Sequence, residues 1–279
     1  MDVSVVDFTA PDAPEAFTNS LLQTGFAVVV NHPLDWAEVE ALFAEWNAFF
    51  DHPARYDYAP DPGSQDGYFP PTVAETASGN TIRDLKEFFH VYPWGKYPAE
   101  VSNAALDYAL RAADVARTLL DWVETNTPPE VAARFSQPLS SMMDGSTRSL
   151  LRMLRYPPLT GEEPEGAVRA AAHTDINLLT VLPSSNEPGL ELLGANGEWF
   201  PVPCDPSSLA VNAGEMLELA SHGYYPATVH RVTNPTGPGA LRHRMAAPLF
   251  LHPADEVILA NDRKAIEFLE DRLAELRGS

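Results

Sequence analysis

The stretch AAAHTDINLLTVLP places an imidazole and a carboxylate, His173 and Asp175, two residues apart in an otherwise apolar run. In an extended strand, residues i and i+2 project to one side, so these two side chains can converge on a point. A later apolar run, ATVHRVTN, carries His230. Two imidazoles and one carboxylate form the donor set of a facial metal triad. Such a triad leaves the opposite face of the ion open to a chelating molecule, oxygen or water. The HxD pair alone is weak, because the chain holds 8 histidines and short motifs also match by chance. A lone His230 fits a core or surface role equally well, so the case rests on the conjunction.

A fourth residue strengthens it. Arg244 follows His230 in RHRMAAPLFLHP, where strand alternation lets Arg244, Ala246 and Pro248 share a face. A guanidinium inside a barrel is costly unless an anion meets it. A bidentate carboxylate is its natural partner. A dicarboxylate such as 2-oxoglutarate would satisfy both ends, chelating a metal at one and meeting Arg244 at the other. A solvated arginine at a strand edge is the alternative, kept open by the neighbouring Arg242 and His243.

These residues need a β scaffold, and from Ser149 onward the sequence supplies one. Short apolar runs (LLRMLRY, NLLTVLP, GLELLG, EWFPVP, SLAVNAG, ATVHRVTN, MAAPLFLHP) alternate with Gly, Pro, Asn and Asp. That texture predicts an all-β sandwich or barrel. The first half differs. VSVVDF and FAVVVNH predict strands. DAPEAFTNSLLQTG predicts a helix with Asp12 as N-cap, Pro14 in the first turn and Gly25 as the stop. DWAEVEALFAEWNAFFD places Val39, Leu42, Phe43, Trp46 and Phe50 on one helical face. RDLKEFFHVYPW predicts another strand. A long helix follows over EVSNAALDYALRAADVARTLLDWVETN, with Leu106, Leu110, Val115, Leu119, Trp122 and Val123 near helical spacing. Residues 53–82 are rich in Pro, Gly, Asp and Tyr and predict a long surface loop of the kind that forms lids. DRKAIEFLEDRLAELR predicts a terminal amphipathic helix. The expectation is one domain over 1–279: a helix-rich part to 148, a β core over 149–253 and a helix over 254–279.

Composition narrows the function. The formal net charge of −21 argues against nucleic acid or an anionic membrane surface as a partner. No apolar run approaches the ~20 residues of a membrane helix. Cys204 is the only cysteine, which excludes an intrachain disulfide and suits a reducing compartment. The opening MDVSVVDFTAPDAPEAF lacks the basic and apolar regions of a secretory signal. A cytoplasmic monomer acting on a small molecule is the expectation.

Taken in order, GFAVVVNH, DLKEFFHV, LRYPP, AAAHTDINLLTVLP, GLELL, GEWFPVP, LAVNAGEMLELASHGYYPATVHRVTNP and RHRMAAPLFLHP resemble the isopenicillin N synthase-like group of the iron(II)/2-oxoglutarate-dependent oxygenases. The resemblance covers nearly the whole chain and is densest between Leu150 and Pro253. It implies a double-stranded β-helix, a cupin-like jelly roll, with helices packed outside. It implies Fe(II) held by His173, Asp175 and His230, which act as the catalytic centre, with 2-oxoglutarate and O2 as co-substrates. It assigns Arg244 to the distal carboxylate of 2-oxoglutarate, and Tyr156 to the same carboxylate or the substrate. Asn212, Gly214 and Gly223 match positions that shape the backbone. The implied reaction oxidises, most simply hydroxylates, a C–H bond and releases succinate and CO2.

One position departs from the pattern. The family usually carries serine two residues after the arginine, and this chain has Ala246. One hydrogen bond to a charged group is worth about 1.5–3 kcal/mol. The loss implies weaker 2-oxoglutarate binding, a compensating donor such as Tyr156, or an arginine that serves a substrate carboxylate. The last is the situation of an isopenicillin N synthase-type oxidase, which closes rings or desaturates without 2-oxoglutarate. A catalytically silent metal-binding protein is the third alternative. Tyr68, Phe69, Phe89, Leu192 and Phe250 are candidates for the substrate pocket, with plain core packing as the alternative for each. Lys86 and Arg155 are read as partners in surface ion pairs rather than substrate contacts.

Overall fold

The computed structural model describes residues 3–73 and 82–278. The chain opens with β1 (Val5–Asp7), α1 (Ala13–Thr24) and β2 (Phe26–Val30). Asp12 occupies the N-cap of α1 but makes no side-chain cap bond, and Gly25 ends the helix at φ 70° with its N–H on the Leu21 carbonyl. Gly25 also abuts Thr228 so closely that a Cβ would overlap it, so both conformation and space require glycine. In α2 (Trp36–Asp51), Asp35 accepts from the Ala37 N–H, and Val39, Leu42, Phe43, Trp46 and Phe50 are buried together. The stretch 53–82 is more ordered than its composition implied. It holds 3-10 turns at Pro53–Tyr58 and Pro71–Val73 and the strand β3 (Gly67–Phe69), while 74–81 lie outside the described residues. Three residues are too few to show a period, and β3 exists because it pairs with β4 (Glu87–Val91). In α3 (Ala104–Asn126) the buried stripe runs through Ala105, Tyr108, Ala112, Val115 and Leu119. Leu110, assigned to that stripe from sequence, lies off it and is 68% exposed.

After the short α4 (Pro129–Ala132) comes the β region. Its strands are β5 (Leu150–Tyr156), β6 (Ala170–His173), β7 (Leu179–Pro183), β8 (Leu190–Leu193), β9 (Trp199–Pro201) and β10 (Leu209–Ala213). Then follow α5 (Glu215–Ala220), β11 (His230–Val232), β12 (Arg244–Ala246) and β13 (Leu249–Leu251). The hairpin β14 (Ile258–Ala260) and β15 (Arg263–Lys264) leads into α6 (Ala265–Gly278). One large mixed sheet runs β1-β2-β10-β7-β13-β5-β4-β3, with β12 also paired to β5. A smaller sheet runs β6-β11-β8-β9. Together they form the jelly-roll core, and the helices flank the large sheet.

Alternation sorts the large sheet into two faces. Val29, Phe89, Met153, Val181, Val211, Leu249 and Leu251 belong to the core shared with α1, α2 and α3. Their neighbours point the other way, toward the small sheet. Phe26, Val28 and Ala210 pack with Leu192, and Phe88, Leu154, Tyr156 and Ala246 pack with Ala170 and Val232. The interior between the sheets is therefore less uniformly apolar than the helix-covered side. Buried Thr180, Asn212 and Arg244 lie in strands whose neighbouring residues, Leu179, Val181, Val211 and Met245, belong to the helix-side core. Polar side chains on that inward face need partners, and this is where chemistry is built. Among the described residues no helix is long and apolar enough to cross a membrane.

Candidate metal centre and active-site cavity

His173 ends β6 and lies directly opposite His230, the first residue of β11. Asp175 follows two residues later in the turn leaving β6. The three bring one ligand atom each within 4.8 Å of one another. His173 Nε2 lies 3.8 Å and His230 Nε2 3.7 Å from Asp175 Oδ1. Donors about 2.1 Å from a shared ion stand about 3–4 Å apart across cis to wider angles, so the triangle fits a metal ion without refolding.

The supporting bonds point each ligand atom inward. His173 Nδ1 lies 2.8 Å from the Ala171 carbonyl, and His230 Nδ1 lies 3.1 Å from the Thr228 carbonyl. Each Nδ1–H donates to backbone, which leaves the Nε2 lone pair for the ion. Asp175 Oδ2 accepts from Thr180 Oγ1 at 2.6 Å and Asn212 Nδ2 at 2.8 Å. Oδ1 stays free to face the imidazoles. Thr180 and Asn212 are cross-strand partners on β7 and β10, so one register position supplies both donors. Asn177 steadies Thr180 through Nδ2 at 3.0 Å. Phe26 meets the His230 ring edge-on at 5.4 Å. Gly214 lies so close to Asn177 that a Cβ would overlap its carbonyl oxygen.

The charges agree with this arrangement. Burial, and then the neighbouring His230, push His173 down to about 4, although its ring is 40% exposed. It is neutral at pH 7 and available as a ligand. Burial alone would push the Asp175 carboxyl up. The two imidazoles and the bonds from Asn212 and Thr180 outweigh it and hold the carboxyl below its ordinary value.

A cavity of about 360 Å³ opens beside His173 and Asp175. Its walls include Phe250, His252, Arg152, His90, Lys86 and Trp94, and α6 closes one side with Leu269 and Arg272. Arg152 Nε donates to His90 Nε2 at 2.9 Å, and its guanidinium lies over Phe88 and Phe250 at 4.6 and 5.2 Å. Burial pushes His252 down to about 4. Lys86 is 4% exposed and lies 2.9 Å from Asp84. Arg155, 5% exposed, pairs with Glu87 and with Asp51 at 2.7 Å each. Lys86–Asp84 and Arg155–Glu87 are buried ion pairs rather than surface ones: Lys86 lies just before β4, and Arg155 lies in β5, which runs between β4 and β13 inside the large sheet.

Of the aromatic and apolar candidates, Phe250 lines this cavity. Phe69 stacks on Phe88 at 4.8 Å beneath the pocket wall. Leu192 sits opposite His230 and packs between the sheets. Tyr68 and Phe89 face the helices and pack in the main core. For Phe89 the miss is one residue of register: Phe88 is its inward-facing neighbour. Thr180 was missed altogether, and Asn212 was read as shaping backbone only. A polar residue in the inward register of NLLTVLP was the available signal for Thr180.

Arg244 pairs across to Tyr156 of β5 and is 2% exposed. Its Nε donates to the Glu187 carbonyl at 3.0 Å, and its guanidinium lies 5.2 Å from the Tyr156 ring centroid. It does not line the 360 Å³ cavity; it sits deeper between the sheets. Ala246 shares its inward face with Leu154 and Tyr156.

The sequence profile of the 2OG-Fe(II) oxygenase superfamily matches residues 147–253. That of the non-haem dioxygenase N-terminal region named for morphine synthesis matches 3–108. A candidate oxygenase from Shewanella oneidensis has a crystal structure 44% identical in sequence, covering 99% of both chains at a TM-score of 0.90. A candidate 2OG-Fe(II) oxygenase family protein from Caulobacter crescentus is 30% identical over 98% of this chain and 99% of its own, at a TM-score of 0.80. Leucoanthocyanidin dioxygenase of Malus domestica is 29% identical over 231 residues, 78% of this chain. The chain spans 62% of that enzyme's length.

Proposed function

Because this chain belongs to the 2OG-Fe(II) oxygenase superfamily, we propose that it hydroxylates a C–H bond of a small molecule held in the 360 Å³ cavity, with release of succinate and CO2. His173, Asp175 and His230 are the residues that would hold Fe(II), and Arg244 with Tyr156 would receive the distal carboxylate of 2-oxoglutarate. Bound there, iron and 2-oxoglutarate supply the oxidising power; the protein supplies position, charge and exclusion of water.

The observation that carries this reading is the convergence of three donor atoms within 4.8 Å, each with its second heteroatom already engaged. Such preparation is what a metal ligand set requires: a histidine buried for packing alone would not leave its Nε2 aimed inward with no partner. The substrate would sit against Phe250, His252 and the Arg152–His90 pair, with Phe69 and Phe88 stacked beneath Arg152, Leu192 packed behind His230, and Tyr68 and Phe89 in the helix-side core. The single cysteine suits a reducing, cytoplasmic setting, and the chain acts as a monomer in this proposal, which sedimentation tests. Screening small metabolites for succinate release in stoichiometric step with product tests the activity. Asp175→Ala should abolish that release while the protein still melts cooperatively. Product formed without succinate would contradict the proposal and favour an oxidase that needs no 2-oxoglutarate.

A further inference from the structure

A second arginine lies at the Arg244 end of the molecule, and nothing in the fold accounts for it. Arg169, just before β6, is wholly buried at 0% exposure. Its Nη2 donates to the Arg242 carbonyl at 3.2 Å. Its Nε and Nη1 have no hydrogen-bond partner among the described residues. Its guanidinium lies 5.8 Å from the Tyr156 ring centroid, the ring that Arg244 also meets. Burial, and then the like charge of Arg244, disfavour its charged form. The nearby carboxylate, Glu187, is already engaged by Arg242 Nε. Two guanidinium groups therefore flank one tyrosine with less negative charge than they need. A buried cation with idle donors is expensive unless a bound anion completes it.

The same region lacks a hydroxyl. Ala246 stands on the inward face beside Arg244, where the family pattern has serine. We propose that Arg169 supplies the donors that this missing hydroxyl does not, so that the distal carboxylate of 2-oxoglutarate is held by Arg244 and Arg169 around Tyr156. The inference rests on the 2-oxoglutarate reading above. It makes Arg169 a specificity residue: it selects a dicarboxylic 2-oxo acid over a monocarboxylic one with the same chelating head.

The test compares binding of 2-oxoglutarate and 2-oxobutyrate to the anaerobic Fe(II) protein by calorimetry, for the wild type, Arg169→Met, Arg169→Lys and Arg169→Met/Ala246→Ser. Arg169→Met should weaken 2-oxoglutarate by about 10- to 100-fold and change 2-oxobutyrate by less than about 3-fold. Arg169→Lys, which keeps the charge but loses the planar fork, should fall between, and it carries the test should the methionine variant not fold. Adding Ala246→Ser should restore part of the loss. Ligand-free Arg169→Met should melt no lower than the wild type, because an uncompensated buried charge has been removed. Equal weakening of both oxo acids, no weakening of either, or a ligand-free variant that melts well below the wild type would overturn the role of Arg169. A wild type that binds neither oxo acid would overturn the 2-oxoglutarate reading itself.

Discussion

Thr180→Val removes one hydroxyl and keeps the shape of the side chain. In the folded protein that hydroxyl donates to Asp175 Oδ2 at 2.6 Å and accepts from Asn177 Nδ2 at 3.0 Å. Thr180 is 3% exposed and Asp175 7%, so water does not replace the lost donor. A hydrogen bond to a charged group is worth about 1.5–3 kcal/mol. Outer-shell partners of metal ligands typically shift metal affinity by about 10- to 100-fold. Two effects add. The carboxylate is freer to rotate, so Oδ1 no longer stays aimed at the imidazoles. Its pKa also rises, because one of the bonds holding it down is gone. Asp175 remains ionised at pH 7, so most of the loss at neutral pH is orientational, and the acid limb of metal binding should move to higher pH. Competition with a chelator for Fe(II), or for Mn(II) in air, measures the affinity. The variant should bind about 10- to 100-fold more weakly, and Asn212→Leu should do the same through the second donor at 2.8 Å. The double variant should lose less than the product of the two, because either change alone already frees the carboxylate. Affinities within about 3-fold of wild type for both single variants would refute the claim that these bonds prepare the ligand.

Two further outcomes follow from the same geometry. His252 is pushed from 6.5 to about 4 by burial, so the folded protein resists its protonation and the unfolded chain does not. Its contribution is complete above about pH 6.5 and is lost as pH falls toward 4, on the order of 3 kcal/mol in all. Urea unfolding of the metal-free protein across that window should show the loss, and His252→Gln should remove the His252 share of it while the like contribution of His173 remains; an unchanged slope, or one of opposite sign, would contradict the burial argument. Gly214→Ala should lower the melting temperature and weaken metal binding together, because its Cβ would press on the Asn177 carbonyl and Asn177 supports Thr180; a change in neither would mean the backbone there yields freely.

The convergence of His173, Asp175 and His230 was legible because strand alternation is a local rule, and the three obey it or lie one turn from it. The β core was legible for the same reason: its strands are short, apolar and punctuated. What failed was which face of a strand looks inward. FFHV offers two adjacent phenylalanines, and only pairing with β5 decides that Phe88 faces the interior between the sheets while Phe89 joins Trp46 and Phe49 under the helices. Lys86 and Arg155 read as surface residues because charged residues usually are, yet each lies inside beside a carboxylate, Asp84 two residues before Lys86 and Glu87 on the strand next to Arg155. Asn212 looked like backbone chemistry because its partner, Asp175, is 37 residues away. Arg169 carried no signal at all: its idle donors exist only once β5, β6 and β12 are assembled around Tyr156.

The most direct measurement is an anaerobic titration of the protein with Fe(II) and 2-oxoglutarate, followed by visible absorption. A metal-to-ligand charge-transfer band saturating at one iron and one 2-oxoglutarate per chain, absent in Asp175→Ala and far harder to saturate in Arg244→Ala, is the outcome the three-donor site demands. A wild type that takes up iron without developing the band, or an Asp175→Ala variant that develops it unchanged, would contradict the account.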